Sequence, residues 1–176
     1  MKKLQIAIIG SAGQEEYPVD SLNFQELYEL SYEVAFLLAQ NNCYVITGWK
    51  SDIMEAAAKW CREAGWINIG FIKWEKREES NNYVDIEIVT NMWDWGDAFL
   101  IPYSADGAII IWGWVGTLKE ISWFYLQGKP CIALEKTWWW ASKLRNWFLD
   151  ERKKVKILSW STPVEAVQNM LLLLKE

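Results

Sequence analysis

Trp112-Gly113-Trp114-Val115-Gly116-Thr117-Leu118-Lys119-Glu120 decides the fold. Ahead of it runs Asp106-Gly107-Ala108-Ile109-Ile110-Ile111, an apolar run that reads as a buried parallel strand. Behind it, Leu118, Ile121, Ser122, Tyr125 and Leu126 follow helical spacing. A glycine-containing turn thus joins a strand end to a helix N-terminus. Free backbone N–H groups and the positive end of the helix dipole point outward at such a junction, which suits a phosphate. Two indoles, Trp112 and Trp114, stand where backbone would approach that ligand.

The same alternation extends along the chain. Apolar runs predict strands at about 4–9, 43–47, 67–72, 84–89, 107–111, 130–134 and 154–158. Helical spacing predicts helices at about 22–40, 52–64, 92–101, 117–127, 138–149 and 163–175. Leu27, Leu30, Val34, Leu37 and Leu38 share one face of the first helix, as expected for packing on a sheet. The last helix opens Ser161-Thr162-Pro163, a cap followed by proline at the first helical position. Apolar strands alternating with helices predict an α/β fold with a central, mostly parallel sheet of about seven strands, covered on both faces. No linker or repeat divides the chain, so residues 1–176 are expected to form one domain. The charged stretch 75–82 is expected to be a surface loop, with an overhang of the site as the other option.

Composition narrows the chemistry. The 176 residues contain no histidine, which removes Ser-His-Asp, Cys-His and HExxH sites together. The net charge of −5 gives no expectation of a nucleic-acid partner. Neither the run 4–9 nor the tail 170–174 is long enough to span a bilayer, so no membrane partner is expected. The N-terminus reads as a first strand rather than a secretory leader. Cys43, Cys61 and Cys131 form no CxxC, and buried reduced thiols in a cytoplasmic protein are the expectation.

Fourteen tryptophans exceed the ten glycines, and several stand where turn chemistry wants glycine. A side chain at positive φ costs about 1–2 kcal/mol, and overpacking about 1–3 kcal/mol. Repeated over several sites, this rivals the about 5–15 kcal/mol that holds a domain together. One explanation is a surface evolved for stacking a ligand or partner. The favoured one is that most of these residues stand for glycine, because UGA is read as glycine in some bacterial genetic codes and as tryptophan in others. The suspects are Trp49, Trp60, Trp66, Trp74, Trp93, Trp95, Trp112, Trp114, Trp138, Trp139, Trp147 and Trp160, while Trp123 and Trp140 read as genuine.

With that substitution in mind, the chain resembles the Rossmann-like superfamily of LOG, the DprA/Smf-related proteins and the molybdenum cofactor carrier proteins. The resemblance covers nearly the whole length. Its Gly-Gly-x-Gly-Thr-x-x-Glu motif is matched by Gly113, Gly116, Thr117 and Glu120. Thr47-Gly48-Trp49 followed by Ile53-Met54-Glu55-Ala56-Ala57 is similar to a second segment, in which Asp52 replaces a usual glycine. Ser104-Ala105-Asp106, Gly128-Lys129-Pro130 and the first loop, Gly10-Ser11-Ala12-Gly13, also match. The resemblance implies a three-layer Rossmann-like fold and a homodimer or higher oligomer. It further implies a phosphorylated ligand, either a nucleotide or a pterin such as molybdopterin; no cofactor is otherwise assigned. LOG enzymes are phosphoribohydrolases that cleave the N-glycosidic bond of nucleoside 5′-monophosphates. Their catalytic arginine aligns with Asp97, and Arg77 is the nearest upstream alternative. A carrier or binding protein is therefore the first expectation and a hydrolase the second. An inactive scaffold follows if the tryptophans are native.

The candidate ligand-binding residues are Gly10, Ser11, Gly13, Gly48, Gly113, Gly116 and Thr117, with no metal site expected. Glu120 is the candidate catalytic carboxylate, reaching a sugar hydroxyl or glycosidic centre; the competing role is a capping-box partner of Thr117. Glu55 and Asp106 are expected to be structural, and Lys59, Lys119 and Lys129 carry no pyridoxal-phosphate signature.

Overall fold

The computed structural model describes residues 2–10, 23–137 and 139–175, apart from the side chains of residues 94 and 97. Seven strands form one parallel sheet in the order β4-β3-β2-β1-β5-β6-β7. They are β1 (Gln5–Gly10), β2 (Tyr44–Thr47), β3 (Asn68–Ile72), β4 (Ile86–Val89), β5 (Gly107–Ile111), β6 (Cys131–Leu134) and β7 (Leu158–Trp160). The helices are α1 (Phe24–Gln40), α2 (Ile53–Glu63), α3 (Gly96–Ser104), α4 (Val115–Leu126), α5 (Trp139–Lys143) and α6 (Pro163–Leu173). This is the expected three-layer, Rossmann-like α/β fold.

Alternation along the central strands builds both cores. Ile6 and Ile8 of β1, Ile109 and Ile111 of β5, and Ile132 and Leu134 of β6 face Leu27, Val34, Ala57, Cys61 and Val167 of α1, α2 and α6. Ala7 and Ile9, Ala108 and Ile110, and Cys131 and Ala133 face Ile101, Ile121, Phe124 and Ala141 of α3, α4 and α5. Burial on both faces explains why these strands lack polar alternation in the sequence.

The chain moves outward from β1 through β2 and β3 to β4, then returns to place β5 against β1. That reversal opens a crevice beyond the carboxyl ends of β1 and β5. The expected crevice, at the ends of the first, second and fifth strands, lies here.

Four predicted elements shift. The helix expected at 138–149 ends at Lys143, and Asn146 takes a φ of 55°. Trp147 then pairs antiparallel with Ile157, so Ile157 is spent on this bridge and β7 begins only at Leu158. A 3₁₀ turn at Trp93–Trp95 precedes α3, which therefore starts later than expected. Helix α4 begins at Val115 rather than 117.

All three cysteines are buried and free. Burial pushes the Cys43 thiol up to about 11 and the Cys61 thiol up to about 12, and it raises Cys131 as well. The native thiols should resist iodoacetamide at pH 8 and react only in denaturant, as mass spectrometry would show. A thiol raised in the folded state leaves stability intact below the unfolded thiol range near about 8.5 and erodes it as pH climbs toward the folded values. Rapid native alkylation at any of the three would contradict this packing.

Candidate functional site

The crevice holds a cleft of about 250 Å³. It is lined by Gly10 at the end of β1, Gly48, Trp49 and Lys50 after β2, Met54 of α2, Lys73 after β3, Ala98 of α3, and Trp114 to Thr117, Lys119 and Glu120 at the start of α4. The distant candidates Gly10, Gly48, Gly116, Thr117 and Glu120 thus line one site.

Backbone contact sets its floor. A Cβ on Gly10 would sit 2.2 Å from the Ile111 carbonyl oxygen, so only glycine lets β1 and β5 end this close together. The Thr117 hydroxyl donates to the Gly10 carbonyl at 3.1 Å, tying α4 to β1. Gly113 has a φ of +124°, and a Cβ there would meet the Thr117 side chain at 2.6 Å. Gly113 does not line the cleft; it makes the turn that places Thr117. The Trp112 N–H donates to the Thr137 hydroxyl, which donates to the Leu134 carbonyl, so the ends of β5 and β6 are locked together.

Gly116 differs from these. It is exposed in the cleft wall, and a Cβ there would meet nothing within 4 Å among the described residues. Packing among the described residues does not require glycine at this position.

Helices α2, α3 and α4, each of which gives the cleft a first-turn residue, have no hydrogen bond from the side chain of the N-cap residue. Asp52 and Trp114 at the N-caps of α2 and α4 make no capping hydrogen bond. By contrast, Asn23 and Thr162 cap α1 and α6. Helices α2 and α4 bring their first turns, and with them the positive ends of their dipoles, to the cleft. Lys50, Lys73 and Lys119 bring positive charge to the cleft, and Glu120 is the one carboxylate among the described lining residues. The capping-box role for Glu120 fails, because Thr117 is the third helical residue and not the N-cap.

The remaining expectations sort as follows. Ser11 and Gly13 lie outside the described residues. Asp97 falls in the first turn of α3, and its side chain is not described. Arg77 is paired with Glu87 at 3.5 Å, and no arginine lines the cleft among the described residues. Asp106 is structural, accepting the Gln5 N–H at 2.8 Å. Lys129 is structural too, donating to the carbonyls of Pro102, Tyr103 and Ala105 at the end of α3. Glu55 lines a neighbouring recess with Glu79, Ser80 and Asn82. The 75–82 stretch is pinned there, since Asn81 donates to the carbonyls of Trp49 and Lys50. Lys50 and Lys73 were missed in the sequence because each lies in a loop whose nearness to Thr117 follows only from strand order.

The suspect tryptophans divide. Trp93, Trp112 and Trp139 hold positive φ values of 49°, 64° and 49°. Trp49, Trp66 and Trp114 do not; at the 64–66 turn Gly65 takes the positive φ. Trp60, Trp139 and Trp160 bury an indole N–H that has no hydrogen-bond partner. Trp112, expected to obstruct the ligand, instead turns into the α1, α2 and α6 core, while Trp49 and Trp114 line the cleft. Asp52, the residue in a usual glycine position, has φ 63° and ψ −122°, a conformation that side chains rarely adopt.

The sequence profile of the SLOG cluster4 family matches residues 3–167. The chain belongs to the SLOG cluster4 family. An uncharacterized protein of Archaeoglobus fulgidus is 31% identical over 137 residues, covering 77% of this chain and 82% of that one. The crystal structure of TM1055 superposes with a TM-score of 0.84 at 28% identity, covering 96% of this chain and 99% of that one. The molybdenum cofactor binding protein of Rippkaea orientalis shares the fold, with a TM-score of 0.79 at 22% identity and 98% coverage of both chains. No helix among the described residues is long and apolar enough to cross a membrane.

Gly113→Ala should lower stability by about 2–5 kcal/mol, combining strain at positive φ with overpacking against Thr117. Urea unfolding measures this directly, and a loss below about 1 kcal/mol would mean the turn is not held as described.

Proposed function

We propose that this SLOG protein binds or carries a phosphorylated small molecule, a nucleotide or a molybdopterin-like pterin, in the cleft at the start of α4. The observation that carries this is Gly116. It is a glycine in a helix's first turn, where a Cβ would meet no described atom within 4 Å, beside Thr117 and in a cleft that three lysines also line. Glycine in a helix costs about 0.5–1 kcal/mol relative to alanine. No contact among the described residues offsets that cost here, whereas a phosphoryl group approaching the backbone would. The fold likeness to a molybdenum cofactor binding protein supports the pterin among the candidate ligands.

The position of Glu120 in the cleft wall supports a second reading, a phosphoribohydrolase acting on nucleoside 5′-monophosphates. The backbone at Gly116 and Thr117 would hold the 5′-phosphate, and Glu120 would assist at the sugar. A cleft without a described arginine favours the carrier. In either case we infer a cytoplasmic homodimer formed by single-domain subunits.

A calorimetric panel of AMP, GMP, other nucleotides and molybdopterin tests the site. At least one should bind, and Gly116→Ala should weaken that binding tenfold or more while stability holds or rises by about 0.5–1 kcal/mol. Equal binding by Gly116→Ala would remove the phosphate turn from the account. Release of free base from AMP, abolished in Glu120→Ala, would establish the hydrolase over the carrier.

We also propose that the twelve suspect tryptophans are encoded by TGA and stand for glycine. The positive φ at Trp93, Trp112 and Trp139 and the orphaned indole N–H groups of Trp60, Trp139 and Trp160 support this. Sequencing the gene should find TGA at the suspects and TGG at Trp123 and Trp140. The glycine form should be more stable and bind phosphorylated ligands more tightly, since Trp49 and Trp114 narrow the cleft. TGG at Trp112 and Trp114 would overturn the recoding and favour an inactive or repurposed site.

A further inference from the structure

The cleft is small for a nucleotide or a pterin ester. It holds about 250 Å³, whereas sites for small molecules usually hold roughly 300–1,000 Å³. Beside it lies a second recess of about 510 Å³, which shares Trp49 and Lys50 with the cleft. Its further lining comes from Glu55 of α2 and from Glu79 to Asn82 of the loop after β3. The indole of Trp49 stands on the border between the two, and glycine at that position would take away the side chain that stands there.

The loop wall of this recess is held in place by hydrogen bonds. The Asn81 backbone N–H donates to the Trp49 carbonyl at 2.9 Å, and its side chain donates to the Lys50 carbonyl at 2.8 Å. The Ser80 hydroxyl donates to Glu87 of β4 at 2.6 Å, and the Glu78 N–H donates to the same carboxylate. The chemistry here differs from that of the cleft. Lys50, on the shared border, is the one cation among the described lining residues, and Glu55 and Glu79 bring two carboxylates. Glu55 is half-buried in the first turn of α2 and makes no hydrogen bond or ion pair with any described residue. An ionised carboxylate accepts hydrogen bonds and donates none, and it repels a further phosphate. The recess thus suits an uncharged group that presents donors.

Resting on the phosphate-binding reading of the cleft, we propose that the ligand's heterocycle lies in this recess and turns an edge with two adjacent N–H donors to the Glu55 carboxylate. The cleft keeps the phosphate and the group that links it to the heterocycle. Two parallel N–H groups match the two oxygens of a carboxylate. The 2-amino-4-oxopyrimidine edge of guanine and of pterins presents such a pair, one from the ring and one from the amino group. Hypoxanthine keeps the ring N–H and lacks the amino group. Adenine sets a ring-nitrogen lone pair beside its amino group, and that lone pair would face a carboxylate oxygen. The ligand class is a phosphate ester of a 2-amino-4-oxo heterocycle, and Glu55, expected from the sequence to be structural, is the residue that selects it.

Titration calorimetry on the chain as written and on its glycine form, with GMP, neopterin monophosphate, IMP, AMP and orthophosphate, tests this. GMP or the neopterin ester should bind roughly tenfold or more tightly than IMP and AMP, because each good hydrogen bond to a charged group is worth about that factor. Which of the two binds more tightly distinguishes a nucleotide from a pterin. Glu55→Gln should abolish the preference over IMP and AMP. Orthophosphate, which reaches only the α4 turn, should bind the variant as it binds the parent, and thermal melting confirms that the variant is folded. IMP or AMP binding as tightly as GMP and the neopterin ester, or more tightly, would overturn the recess proposal and leave the phosphate site standing. A preference that survives Glu55→Gln would do the same. The comparison of GMP and the neopterin ester with IMP needs no variant, so it decides the point even if Glu55→Gln does not fold. No binding of any of these compounds by either form would overturn both readings.

Discussion

The close approach of β1 and β5 at their carboxyl ends is the constraint on which the site depends. Gly10 lies against the Ile111 carbonyl with no room for a Cβ, and its own carbonyl accepts the Thr117 hydroxyl. Those two contacts fix where the crevice opens and how α4 enters it. The order of the sheet places this contact at the point where the chain reverses direction across β1. Every residue assigned to the cleft takes its place from that junction.

From there the site's electrostatics follow. Strand ends in a parallel sheet all point one way, so the loops after β1, β2, β3 and β5 converge. Helices that begin in those loops aim their positive ends at the same space. Asn23 and Thr162 each accept a first-turn N–H of the helix they cap, whereas at Asp52 and Trp114, whose helices reach the cleft, the N-cap side chain makes no such bond. Lysines from three loops or helices then add charge that only the tertiary fold brings together.

The architecture was legible because the central strands are apolar on both faces, leaving runs such as 107–111 with no polar alternation. The turn at the start of α4 was legible because Gly113, Gly116 and Thr117 fall within five consecutive residues. The end of α5 and the start of β7 were not, since the bridge from Trp147 to Ile157 is a long-range pairing that local pattern does not reveal. Lys50 and Lys73 were invisible for a similar reason: their shared neighbour, Trp49, matters only once β2 and β3 are paired. The direction of Trp112 was misjudged because its positive φ of 64° sends the indole into the core instead of toward the ligand.

A crystal structure of the glycine form grown with GMP tests the central claim most directly. One phosphoryl group should accept hydrogen bonds from the backbone N–H groups of Gly116 and Thr117, within the crevice between β1 and β5. A nucleotide bound elsewhere, with the start of α4 untouched, would contradict the account.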